Sequence, residues 1–107
     1  MMPVTPAAYH TVKPLFADMD SHLPVVAALS EDIEADVYAD DPTHPRVALV
    51  DVLHRRLYLA GRATDQTADA AAHLLREVIY PSALAAGVPA LSLCVAPGGW
   101  EAYMDAL

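Results

Sequence analysis

The stretch "RVALVDVLHRRLYLAG", Arg46 to Gly61, decides the fold: it is an almost continuous apolar run with Asp51 and the cluster His54, Arg55, Arg56 set into its middle. A typical strand has about five or six residues, so a run of this length must fold back on itself. The polar breaks at Asp51 and His54 place the reversal in "DVLH". The result is a β-hairpin with strands of roughly Arg46 to Val50 and Arg55 to Ala60. His54, Arg55 and Arg56 then form the solvated end of the hairpin. Two guanidiniums could grip a phosphate or carboxylate. On a pleated strand, however, Arg55 and Arg56 point to opposite faces and do not converge on one anion.

Working outward, "ADVYADD" (Ala35 to Asp41) reads as a strand with charged flanks, and "DDPTHP" as the turn into the hairpin, with Asp41 placed to bond nearby backbone N–H groups. Before it, Leu15, Phe16, Met19, His22 and Leu23 recur at helical spacing behind Pro14. Pro24 interrupts that helix and starts a short second one, with Val25, Val26 and Leu29 facing inward and Ser30 ending the run. After the hairpin, "RATDQTADAAAHLLREVIYPSALAAG" predicts a long helix. Thr64 or Asp65 is its N-cap, Gly87 lies just past its end, and Ala71, Leu74, Leu75, Val78 and Ile79 form its buried stripe. Pro81 predicts a kink or a break into two pieces. "ALSLCVA" has strand length, "PGG" breaks it, and "WEAYMDAL" starts a final helix. The expected fold is α+β (mixed α/β), over one domain spanning 1–107.

With 107 residues, 55% of them hydrophobic, the chain is apolar enough to fold, and at this size some apolar surface stays outside or goes under a partner. Its formal charge of −8 repels phosphate backbones and anionic headgroups, which argues against nucleic acid and membrane surfaces as partners. The opening "MMPVTPAAYHTVKP" lacks the pattern of a signal peptide, and no apolar run approaches a membrane span, so a cytoplasmic location is expected.

The chemistry-bearing residues form no recognisable constellation. His10, His22, His44, His54 and His73 lack the short paired spacings of a metal site, and the acidic segment "EDIEADVYADD" lacks the glycine of a calcium loop. Cys94 sits in an apolar strand, as a small buried residue does. "PGGW" has the outline of a phosphate-binding turn without a following Lys or third glycine, and Glu101 opposes an anion there. No catalytic, cofactor-binding or metal-ligating residue is assigned.

Taken together, "VYADDPTHPRVALV", "HRRLYLAG", a helix ending near a proline, and "WEAYMDAL" resemble the N-terminal half of GNAT-superfamily acetyltransferases, from about Val12 to the end. Leu57 stands where the family usually has an aromatic residue, and the common Trp after the first strand is absent. The resemblance implies a helix pair, then antiparallel strands with a β-hairpin, a long helix, a further strand and a C-terminal helix. The catalytic half that would pack beside this part is missing from the chain. It also implies an acetyl-CoA loop of the form Gln/Arg-x-x-Gly-x-Gly/Ala opening the long helix. The counterpart here, "GRATDQTADAAA", lacks the paired glycines and carries Asp65 and Asp69 instead.

The leading expectation is a non-catalytic GNAT-like domain without a cofactor, acting as a homodimer or with a separate GNAT catalytic chain. A dimer contact is expected at an exposed strand edge or around Trp100, Tyr103 and Leu107. The alternatives are an acetyl-CoA-dependent N-acetyltransferase subunit completed across an interface, and a small-ligand module with a pocket between sheet and long helix.

Overall fold

The computed structural model describes residues 1–19, 22–52, 56–88 and 90–107. Five strands, β1 (Met2–Pro3), β2 (Ala35–Ala39), β3 (Val47–Val52), β4 (Arg56–Gly61) and β5 (Ser92–Val95), form one sheet in that order. The first four are antiparallel neighbours and β5 runs parallel to β4. Antiparallel neighbours need only a tight reversal, whereas the parallel step needs a crossover. The long helix supplies it.

Every residue of β3 is buried, because the sheet is covered on both faces. Ala48, Val50, Val52, Tyr58 and Ala60 meet the N-terminal helical segments through Val12, Phe16, Met19, Val25 and Leu29. Val47, Leu49, Leu57 and Leu59 meet Ala68, Ala71, Leu74, Leu75, Ile79 and Trp100 on the other side. Strands buried on both faces read as continuous apolar runs, and this is why Arg46 to Gly61 shows no alternation. These side chains fill the seam between the sheet and the first part of the long helix, and a groove beside its far end is lined by Tyr80, Ala83, Leu84, Val88, Ala90 and Leu91.

The hairpin register runs from Val47↔Gly61 to Val52↔Arg56. Asp51, expected at the reversal, is instead a buried strand residue opposite Leu57 and Asp36, because the ladder continues one pair beyond it. Arg56 is exposed at the start of β4, as a solvated hairpin end requires. His54 and Arg55 lie outside the described residues. At the other end of the hairpin, the Asp40 carboxylate accepts from the backbone N–H of Arg46 (2.9 Å) and of Val47 (3.2 Å) and from Arg46 Nε (3.0 Å). Asp41 accepts from the Thr43 N–H at 2.9 Å, the local bond expected of an Asp before this turn.

The N-terminal helical layer begins earlier than Pro14. A 3₁₀ turn (Pro6–Ala8) leads into α1 (Tyr9–Val12) and a longer 3₁₀ segment (Lys13–Met19). In α2 (Leu23–Leu29), Val25 and Leu29 point inward as expected, but Val26 is 43% exposed. Seven residues make only two turns, and the core-facing positions are Val25, Ala28 and Leu29. His22, expected on the first helix, instead precedes α2 and packs edge-on against the Tyr58 ring.

The crossover is α3 (Asp65–Leu74), a π-helical turn (Leu75–Ile79) and α4 (Tyr80–Ala85) in unbroken succession. Pro81 has no N–H to give to the carbonyl four residues back. The helix does not break there but widens by one residue, and the Tyr80 N–H reaches the Leu75 carbonyl. The widened turn rotates Val78 out of the expected stripe, to 41% exposure. At the helix end the Gly87 N–H donates to Leu84 and the Val88 N–H to Ala83, a Schellman closure in which Gly87 takes φ +74°.

Candidate functional site

In a β-α-β unit, ligands collect outside the carboxyl ends of parallel strands, where a helix N-terminus offers N–H groups and a positive dipole end. Here that place lies between the ends of β4 and β5 and the start of α3. Gly61 ends β4 at φ +119°, and a Cβ there would run into the Arg46 carbonyl and the Val47 backbone. The strand can therefore leave the sheet only through a glycine.

The crevice is occupied by the chain's own groups. The Ala96 N–H donates to the Leu59 carbonyl at 2.9 Å, which extends the β4–β5 ladder one residue past β5. Beyond it, the Ala63 N–H donates to the Gly98 carbonyl at 2.9 Å, and the Trp100 indole N–H donates to the Gly61 carbonyl at 2.9 Å. Gly98 fits because a Cβ on it would stand 2.6 Å from the Gly61 oxygen. Trp100 itself is 1% exposed and fills the core under α3.

The helix start is capped by the chain's own groups as well. Thr64 is the N-cap: its hydroxyl accepts from the Thr67 N–H at 3.1 Å, while the Thr64 N–H donates to Thr67 Oγ1 at 2.8 Å. Thr67 Oγ1 donates in turn to the Arg62 carbonyl at 2.8 Å. This reciprocal box uses N–H groups that an anion would otherwise bind. Asp65 adds a carboxylate in the first turn and accepts from the Tyr103 hydroxyl at 2.8 Å. That hydrogen bond, with burial and the Asp65 charge adding to it, raises the Tyr103 phenol above its ordinary pKa.

Tyr103 belongs to the closing 3₁₀ segment (Trp100–Ala106), which replaces the expected final α-helix. The segment is tied across the long helix by Arg76 Nη2 to the Ala106 carbonyl and by the Tyr80 hydroxyl to the Leu107 carbonyl, both at 2.7 Å. Trp100 is thus a core residue rather than the interface residue expected. Tyr103 and Leu107 are half-buried against the same core.

No protein-family model matches the chain, and no curated protein sequence is significantly similar to it. The remaining candidate groups are scattered. Cys94 is half-buried on the face shared with the N-terminal helices. Among the described residues, no group of three His, Cys, Asp or Glu side chains is placed to hold a metal ion, and no helix is long and apolar enough to cross a membrane. Sequence reasoning found Thr64, Asp65 and the glycines of "PGG" but missed what they do together. The Gly98 and Trp100 contacts to β4 join residues far apart in the chain, and only the adjacent glycines before a lone Trp hinted at them.

Proposed function

We propose that the chain is a non-catalytic relative of the N-terminal half of GNAT acetyltransferases that works by association, with a second copy of itself or with a separate catalytic chain. The reading is supported by the order of elements: a helical pair between β1 and β2, three antiparallel strands, then a crossover helix into a parallel β5. The observation that carries the non-catalytic part is the closed crevice. An acetyl-CoA pyrophosphate would need backbone N–H groups at the start of α3 and space between β4 and β5. Thr64, Thr67 and Asp65 occupy the first, and Gly98 and Trp100 occupy the second. Acyl transfer also needs a base for the acceptor amine and an acid for the leaving thiolate. The titratable pair at the helix start is Tyr103 and Asp65, and their mutual hydrogen bond holds the phenol in its protonated form.

Titration calorimetry of the chain with acetyl-CoA at physiological salt tests this reading. The expected result is no saturable heat. A dissociation constant in the micromolar range would overturn the non-catalytic reading and favour an acetyltransferase subunit whose site is completed across an interface.

A further inference from the structure

We propose that two copies of the chain join edge to edge through β5, antiparallel about a two-fold axis, so that one sheet runs through both. This rests on the reading of the chain as an associating domain and names the surface it uses. Among the described residues, β5 is the last strand of the sheet and pairs with β4 alone. Because the Ala96 N–H points to Leu59, the alternation of backbone groups directs Ser92, Cys94 and Ala96 toward β4, and Leu93 and Val95 away from the sheet. Such a row of outward N–H and C=O groups is a template for another strand unless charge, proline, a bulge or a covering segment blunts it. Ser92–Val95 carries no charge and no proline, and Pro97, just past the ladder, is the first described residue beyond it without an N–H. The closing 3₁₀ segment does not serve, since its bonds hold it over the long helix.

The charge distribution says what pairs there. From Val78 to Trp100 the chain carries no charged side chain, so all fourteen acidic and six basic residues lie elsewhere. Two copies at −8 each repel one another over most of their surfaces, and the uncharged stretch is where they approach at least cost. A basic partner would instead be drawn to the acidic segment Glu31 to Asp41, well away from β5 in the sheet order. A four-residue strand is too short to hold a dimer by backbone bonds alone, since specific interfaces bury about 1,200 to 2,000 Å² in total. The rest comes from α4, where Leu84 is 78% exposed beside an apolar groove of about 310 Å³ that leads into the start of β5. A two-fold axis at Leu93 pairs it with its own copy and sets Leu91 opposite Val95 of the second copy, a self-complementary arrangement.

Light scattering coupled to size exclusion, together with amide hydrogen exchange, tests the proposal. The chain at micromolar concentration is expected to show twice its 11.4 kDa mass, with the Leu93 and Val95 amides protected. Ser92→Glu, at an exposed position, is expected to raise the dimer dissociation constant at least tenfold with an unchanged circular dichroism spectrum. Leu23→Glu, exposed on α2, is expected to leave the dimer intact. A dimer that survives Ser92→Glu with Leu93 and Val95 exchanging freely would overturn the β5 interface while leaving self-association standing. A monomer mass at every concentration would overturn both and point to a separate partner chain.

Discussion

The two edges of the sheet are built in opposite ways. β1 is two residues long and contains a proline, which offers no N–H to an incoming strand, and the strand beside it carries Asp36 and is followed by Asp40. β5 is longer, lacks proline and charge, and lies beside an exposed leucine. The first edge is protected by brevity and acidity. The second is left open yet is firmly anchored behind, because Trp100 and Gly98 lock its exit to β4. The uncharged β5 edge is therefore the one proposed above to receive a partner, whereas brevity and proline blunt the β1 edge.

The anchor is where the difference can be broken most severely. Trp100→Ala removes a fully buried indole and its bond to Gly61, and is expected to cost about 3 to 5 kcal/mol in urea unfolding. A loss below about 1 kcal/mol, of the size of a surface change, would mean that β5 is held without it.

The acidic side yields a smaller effect with its own pH signature. Asp40→Ala strands the Arg46 and Val47 N–H groups at the turn between β2 and β3, and is expected to cost about 1 to 3 kcal/mol. Burial pushes the Asp40 carboxyl up, but the Arg46 and Val47 hydrogen bonds outweigh it and hold the pKa below its ordinary 3.8. A lowered carboxylate stabilises the fold above its unfolded pKa, and that stability drains away as pH falls through the folded value. Urea midpoints measured downward from neutral pH should therefore fall more steeply below about 3.8 for the native chain than for Asp40→Ala. Parallel curves would show that the carboxylate contributes nothing.

Arg56→Ala at the exposed hairpin end should change stability by only about 0.5 kcal/mol. A change matching Asp40→Ala would mean that the guanidinium is paired, not solvated.

The elements legible in the sequence are those whose signals are local. The hairpin strands showed as an apolar run, the long helix as a Thr64 cap and a Gly87 stop, and the turn at Asp41 as proline and aspartate chemistry. What stayed hidden depends on distant partners or on small departures from periodicity. β1 is too short to show a pattern, and its existence depends on β2 lying beside it. The π turn at Leu75–Ile79 shifts the helical phase, so a regular stripe included Val78 wrongly. Asp51 looked like a break because a carboxylate in a buried strand is uncommon, and nothing nearby in sequence marks it as paired in the ladder. The closed crevice was half legible: the capping Thr64 could be read, while the Trp100 bond to Gly61 spans the whole crossover and could not.

Association through the uncharged β5 edge would proceed against the repulsion of the remaining surfaces, and sedimentation equilibrium at low and high sodium chloride measures that balance. Screening shortens the reach of like charges, so the dimer dissociation constant should fall as salt rises. A dimer that weakens with salt would show oppositely charged groups meeting across the interface, and would contradict association through β5.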